Sequence, residues 1–387
     1  MMMIASKAID DYKKNYENDI GELIRKNFEK KKEEIINCKK VEFLIKTARF
    51  IDDDHRLNMN HIRLFLSTPI WELEQDYEWV HKYITRVRFC NEFMQFMEYY
   101  KSRYEQTVAS RKIQFNEICR EYLQISRFNE VIDDYQLDRE VMINSREEFA
   151  KAVKIVGDEL KMINDVLSRL LSYDMMSDKI KNRIKKSYGI EVCPYCNRQF
   201  ISWWEESGTD RITSDLDHVL PKRLFPLFSL NLYNLIPVCL VCNRYIKGNR
   251  YMSIWDPFKE GFDDMTRFVI NKYKNAEAYI GLNIDFEIKL QPNKDLALQQ
   301  ADQINKTIWF FKFNELYNNH KEHVRTLIRK KYIYTPEVVQ ELNQLFGTQH
   351  ISQKEIELLL YGVIKEDDDW NKEVLGKLTY DILWGDI

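Results

Sequence analysis

Hydrophobic residues in the first half of the chain recur every three or four positions, which is the spacing of an amphipathic helix. The pattern begins with Ile20, Leu23, Ile24 and Phe28. From 78 to 125 it continues, with Val108 among its apolar positions, over a length that predicts one long helix or a helical hairpin. Only one glycine and one proline, Gly21 and Pro69, precede position 157, and this rarity also favours helices.

Capping residues mark the next helices. Ser145 and Glu148 form a capping box, and the helix that they open continues through Leu170. A shorter helix is predicted from 178 to 187, and Gly189 follows it at a position that suits a residue after a helix end.

The hydrophobic period changes after position 190. Two runs, 199–204 and 211–216, have the composition of strands, and Gly208 between them predicts a turn. The resulting hairpin would end at Asp217 and His218. A helix is predicted from about Cys242 to Gly248, so this region is expected to fold as strand, strand and helix.

The C-terminal part combines both patterns. The runs 267–273 and 279–290 predict a small hairpin, and helical spacing then returns. Thr335–Pro336 is typical of an N-cap followed by a proline in the first helical position, and Ser352 with Glu355 forms a second capping box. The expected fold is mostly α, with a helical segment 1–187, a small strand–strand–helix unit 188–256, and a C-terminal segment 257–387 of a β hairpin plus helices.

Charge and composition narrow the class of protein. The net charge is −3, so any binding to nucleic acid must come from local basic patches such as the helix 178–187, for which an ordinary solvated surface is an equal alternative. No apolar run approaches the roughly 20 residues that span a bilayer, and the first residues lack the apolar core of a signal peptide. The seven cysteines are an odd number, which favours a reducing cytoplasm and a metal site over a set of disulfides.

Four of these cysteines form two Cys-x-x-Cys pairs. Cys193 and Cys196 precede the predicted hairpin, whereas Cys239 and Cys242 stand at the start of the predicted helix. Two pairs at this spacing supply the four thiolates of a tetrahedral zinc site. The sequence therefore predicts a structural zinc ion that joins both ends of the unit.

The residues between the two pairs resemble those of a nuclease family. Asp217–His218, Asn234 and Asn243, followed by Lys247–Gly248, occur in the order of an HNH endonuclease of the ββα-metal superfamily, in the branch that binds zinc through four cysteines. The likeness covers about 60 residues, and the last ligand is Asn243 where the family name has a histidine.

The resemblance implies a role for each residue. Asp217 and Asn243 would hold a catalytic Mg²⁺ or Mn²⁺ through hard oxygen atoms, and His218 would be the general base, with a pKa near the usual value of about 6.5. Asn234 would orient the loop that bears His218 through its amide. Lys247 falls on the same helical face as Asn243 and would neutralise charge on the phosphate, with Arg244 as a weaker phosphate contact.

Two functions from different classes follow. The first is an HNH endonuclease that cleaves DNA, although the residues alone do not distinguish DNA from RNA. Large helical additions around such a unit resemble bacterial anti-phage nucleases that work with an ATPase subunit, such as the HNH component of Septu-type systems. The region 78–125 would then be the docking surface for that partner, although its aromatic residues also fit a core. The alternative is a zinc-ribbon module that binds nucleic acid or protein without catalysis.

Overall fold

The computed structural model describes residues 6–105, 114–124, 128–259, 261–262, 265–345, 352–363 and 372–385. The helices before the first strand are α1 Ser6–Ile36, α2 Met59–Ser67, α3 Ile70–Asp76, α4 Glu78–Asn91, α5 Phe93–Glu105, α6 Phe115–Leu123, α7 Asn129–Asp134, α8 Arg139–Asn144, α9 Arg146–Leu170 and α10 Asp178–Ser187. A π-helical segment, Phe43–Thr47, lies between α1 and α2.

The strands and the remaining helices follow α10. The strands are β1 Trp203–Glu206, β2 Thr209–Ile212, β3 Asp215–His218, β4 Leu235–Val238, β5 Thr266–Tyr273 and β6 Phe286–Pro292. A second π-helical segment, Val241–Lys247, follows β4. The later helices are α11 Ala276–Tyr279, α12 Leu298–Phe310, α13 Phe313–Tyr317, α14 Lys321–Ile333, α15 Pro336–Leu345, α16 Gln353–Tyr361 and α17 Gly376–Trp384. The chain is thus mostly helical with small two-stranded antiparallel sheets, as predicted.

Several helix boundaries agree with the capping residues. The side chain of Ser145 accepts a hydrogen bond from the amide of Glu148, and α9 begins directly after Ser145. The helix α10 has the predicted bounds, and Gly189 has a φ of +59°, a conformation that favours glycine. The capping box of Ser352 and Glu355 is formed in both directions.

Of the two alternatives predicted for 78–125, a long helix or a helical hairpin, the single long helix is wrong. The helix α4 ends at Asn91, α5 begins at Phe93, and α6 is separate, while Val108 lies outside the described residues. The break falls at Glu92, whose buried carboxylate accepts a hydrogen bond from the amide of Ser253 at 2.7 Å. This contact with a distant part of the chain has no signature in the local spacing of apolar residues.

The aromatic residues of this region pack against one another. The rings of Phe93 and Phe96 lie 5.1 and 5.2 Å from that of Tyr122 in α6, which is fully buried. These rings belong to the core and not to an open surface.

The central region contains two hairpins where one was predicted. A tight turn at Ser207 and Gly208, both with positive φ, pairs β1 with β2 and places Glu206 opposite Thr209. The strands therefore differ in their bounds from the predicted runs 199–204 and 211–216.

Asp217 and His218 lie outside that hairpin, which corrects the predicted position. They are on β3, which pairs with β4 so that Asp217 is opposite Ile236 and His218 is opposite Leu235. The four residues of β4 are all buried, so this apolar run provides the partner for β3 in the interior. The predicted helix after Cys242 is present as the π-helical segment Val241–Lys247, which is followed by Gly248.

The C-terminal part covers the central region. The strands β5 and β6 form the predicted antiparallel hairpin, and α17 packs beside β5, where Asp381 accepts a hydrogen bond from the amide of Phe268. Buried residues from all three predicted segments form one continuous core. Among the described residues, no helix is both long and apolar enough to cross a membrane.

Candidate functional site

The four predicted zinc ligands lie together in the interior. Cys193, Cys196, Cys239 and Cys242 are all buried, and their sulfur atoms lie within 4.8 Å of one another. A tetrahedral zinc ion with bonds of about 2.3 Å separates its sulfur ligands by about 3.8 Å. The Sγ atoms of Cys196 and Cys239 are 3.9 Å apart, which fits this spacing and is too long for a disulfide bond.

The backbone around the cluster also suits thiolate ligands. The amide of Cys239 donates to the sulfur of Cys193 at 3.3 Å, and the amide of Cys242 donates to the sulfur of Cys239 at 3.4 Å. Hydrogen bonding with Cys193 is the main cause that lowers the pKa of Cys239 and raises the pKa values of Cys196 and Cys242. Four thiols at this spacing have the ligand type and geometry for a metal such as zinc, whose charge would allow them all to ionise.

Asp217 belongs to a buried polar cluster beside this site. The ammonium group of Lys247 lies 2.6 Å from Oδ2 of Asp217, and the hydroxyl of Tyr195 donates to the same oxygen at 2.8 Å. The other carboxylate oxygen, Oδ1, makes no hydrogen bond within the described part of the chain. Tyr195 lies between the cysteines of the first pair and is fully buried, so it joins the cysteine cluster to the carboxylate. Sequence reasoning missed Tyr195, because a buried tyrosine has no distinctive spacing.

Lys247 was predicted to neutralise charge on the phosphate, and in the structure it pairs with Asp217. Its side chain is 4% exposed, and it also donates to the backbone oxygens of His218 and Val219. Burial lowers the pKa of Lys247, and the charge of Asp217 opposes that effect. The ammonium group therefore neutralises a carboxylate inside the protein and does not face an incoming phosphate.

His218 points to the other face of β3, as expected for the residue next to Asp217. Its Nε2 lies 3.0 Å from the backbone oxygen of Ser229. A carbonyl oxygen only accepts, so Nε2 carries the proton and Nδ1 has a free lone pair. Nδ1 makes no hydrogen bond with any residue that the structure describes.

The environment of His218 keeps the imidazole neutral. Burial lowers its pKa to about 3, well below the predicted value, because the side chain is only 7% exposed. The ring of Tyr173 covers it, with the two centroids 4.6 Å apart and the planes at 70°. No pattern in the sequence predicts this contact, since Tyr173 lies in a short turn between α9 and α10.

Asn234 spans the loop 219–234 that connects β3 and β4. Its Oδ1 accepts from the amide of Leu220 at 2.7 Å, and its Nδ2 donates to the backbone oxygens of Leu220 and Phe228 at 3.0 and 2.9 Å. The side chain is fully buried, and these bonds fix both ends of the loop. The orienting role that the resemblance implies for Asn234 stays a prediction.

Asn243 and Lys247 both face β3. The Nδ2 of Asn243 donates to Asp215 at 3.0 Å, and Lys247 binds Asp217 two residues along the same face. The Oδ1 of Asn243 accepts no hydrogen bond from the described residues. Arg244 donates two hydrogen bonds to Asp215. Burial would raise the pKa of Asp215, but Arg244, Asn243 and Lys185 together outweigh burial and lower the pKa.

The basic residues of α10 are mostly engaged with the protein. Arg183 pairs with Asp19, Lys186 pairs with Asp210, and Lys185 donates to the backbone oxygen of Ser214. Lys179 is exposed, and Lys181 lies over the ring of Tyr173. Arg183 and Lys186 remain exposed despite these ion pairs, so α10 keeps basic side chains at its surface.

Comparisons with protein families, with curated proteins and with solved structures found no match to this chain.

Proposed function

We propose that the chain is a metal-dependent HNH endonuclease that hydrolyses phosphodiester bonds in DNA. The observation that supports it most is the state of His218. Its Nε2 is bound to the backbone oxygen of Ser229, which leaves Nδ1 free as a base, and Asp217 is the adjacent residue. A neutral imidazole with a fixed tautomer can accept a proton from water, but burial lowers its pKa to about 3 and so makes it a weaker base than a free histidine.

The other residues would support this reaction in distinct ways. Asn234 holds the loop that carries the oxygen partner of His218 in place. Oδ1 of Asp217 and Oδ1 of Asn243 are the oxygen atoms available to a divalent cation, and hard oxygens suit Mg²⁺. When bound, such a cation neutralises charge on the phosphate and on the leaving oxygen. Lys247 would position Asp217 and moderate its charge.

The test compares purified wild type with His218→Ala on plasmid DNA in the presence of Mg²⁺. Loss of the base is expected to lower the cleavage rate about 10²- to 10⁴-fold while the zinc content stays the same. His81→Ala is the matched control, because His81 is a half-exposed histidine on α4 that pairs with Glu74. Equal cleavage by wild type and His218→Ala would contradict the proposal.

The second candidate is a zinc-ribbon binding module without catalysis. One observation favours it: the carboxylate of Asp217 is already neutralised by Lys247, and both side chains are buried. A module of this kind would keep its zinc and cleave neither DNA nor RNA with Mg²⁺ or Mn²⁺.

The cellular context is proposed on the resemblance alone. A role in anti-phage defence in the cytoplasm, together with an ATPase partner, would be supported by co-purification of that ATPase with the tagged chain. Recovery of the chain alone from cells that protect themselves against phage would remove the partner from the proposal.

A further inference from the structure

The surface beside His218 is built from one aromatic ring and two lysines. Tyr173 stands over the imidazole, and its ring is approached by the ammonium groups of Lys222 at 4.4 Å and Lys181 at 4.9 Å from its centroid. Lys222 lies in the loop 219–234, whereas Lys181 lies on α10. Two separate elements therefore bring positive charge to the ring that packs on the candidate base.

Both lysines pair with exposed carboxylates. Lys222 lies 3.3 Å from Asp174, whose side chain is 85% exposed, and Lys181 lies 3.8 Å from Asp178, whose side chain is 95% exposed. Ion pairs in contact with solvent contribute at most about 1 kcal/mol, so another anion can replace either aspartate.

Two other basic residues near the site, Lys247 and Arg244, are held more firmly by their partners. Lys247 is buried against Asp217, and Arg244 makes two bonds to Asp215. Lys222 and Lys181 are therefore cations near His218, and another anion can displace the aspartates that pair with them.

The distances agree with a bound phosphate. A base, an attacking water, a phosphorus atom and an ammonium group on a phosphate oxygen span about 8–10 Å, with hydrogen bonds of about 2.8 Å and an attack distance of about 3 Å. The distance between the His218 and Tyr173 ring centroids, added to that from the Tyr173 centroid to either ammonium, is an upper limit for the separation of imidazole and ammonium. This upper limit does not exceed the span.

We infer that Lys222 and Lys181, set around Tyr173, bind the backbone phosphate of the strand to be cut and hold it beside His218. This inference rests on the proposed function and assigns the phosphate contact that Lys247 cannot make. Asp174 and Asp178 occupy the two lysines in the free protein and are displaced when the nucleic acid binds.

Binding is measured in the His218→Ala background, so that cleavage does not interfere. A fluorescent DNA duplex is titrated into the parent and into a variant carrying Lys222→Gln and Lys181→Gln, at several salt concentrations. We expect affinity to fall about tenfold and the slope of log affinity against log salt to decrease by about 2, one for each lost phosphate contact.

Two further variants sharpen the test. Asp174→Asn with Asp178→Asn is expected to raise the affinity, because the same lysines lose their competing anions. Lys151→Gln is the matched control: Lys151 also pairs with exposed carboxylates, but it lies about 28 Å from the end of α9 that leads to Tyr173. Its affinity and salt slope should equal those of the parent.

The outcomes separate this inference from the proposed function. Unchanged binding by the double-lysine variant, or a loss equal to that of Lys151→Gln, overturns the inference even if the wild type cleaves DNA. Opposite changes in the lysine and aspartate variants support it, and they do so even if His218→Ala shows that the histidine is not a base.

Discussion

At the scale of single residues, Lys247 shows that the partner of a side chain depends on its burial. The sequence places it four residues after Asn243, and both side chains face β3. Its partner was not predictable, because the depth of a side chain depends on what packs over it. The same limit applies to His218, whose pKa near 3 follows from burial and not from its neighbours in sequence.

Removing one member of the buried ion pair is expected to be costly. Lys247→Met leaves the carboxylate of Asp217 without its cation and should lower the free energy of unfolding by about 3–5 kcal/mol. Urea denaturation measures the change. Lys40→Met is the control, since Lys40 is part of an accessible pair with Glu159 and should lose less than about 1 kcal/mol.

A double variant tests whether the two groups act on each other. Asp217→Asn combined with Lys247→Met should cost less than the sum of the two single changes by at least about 1 kcal/mol. Strict additivity would mean that the pair does not form in solution.

At the scale of elements, the sequence predicted the hairpins β1–β2 and β5–β6 but not the pair of β3 with β4, which carries the candidate site. The glycine turn marks β1 and β2, but the apolar run of β4 does not show that its partner is β3, on the far side of a loop of 16 residues. The predicted helix is present as a π-helical segment. The cysteine pairs were the most informative feature, because four ligands at fixed spacing constrain two distant segments at once.

Loss of one cysteine ligand should loosen both ends of this region. Cys242→Ser is expected to reduce the zinc content, which we predict to be one ion per chain, and to lower the free energy of unfolding by at least about 3 kcal/mol. Elemental analysis and thermal denaturation measure these changes. Cys38→Ser is the control, because Cys38 lies outside the cluster and should retain full zinc.

At the scale of the whole molecule, residues at the start of the last described helix contact the residue next to the cysteine cluster from a distant part of the chain. Asn197 directly follows Cys196 and has a φ of +48°. Its backbone oxygen accepts from the amide of Leu375 at 2.7 Å, and its side chain bonds to the backbones of Glu373 and Lys377 at 3.0 and 3.2 Å. The sequence did not predict this contact, because neither segment contains a motif that indicates its partner.

Zinc release should therefore depend on this contact. Asn197→Gly keeps the positive φ but removes the side-chain bonds, and it should speed zinc transfer to a colorimetric chelator about five- to tenfold. Ser207→Gly is the control, since Ser207 also has a positive φ but lies at the β1–β2 turn. Equal rates for the two variants would show that the C-terminal segment does not restrain the metal centre.

The loop 219–234 is bound to the N-terminal helices at several points. The hydroxyl of Tyr16 donates to the backbone oxygen of Leu230 at 2.7 Å, and Asn231 donates to the backbone oxygen of Phe65 at 2.6 Å. Ser229, whose carbonyl sets the tautomer of His218, donates its own hydroxyl to the backbone of Leu171. A graft of residues 188–256 onto another scaffold would lack these hydrogen bonds, so the orientation of His218 would no longer be fixed. Transfer of the candidate site to another scaffold would therefore require the N-terminal helices that contact this loop.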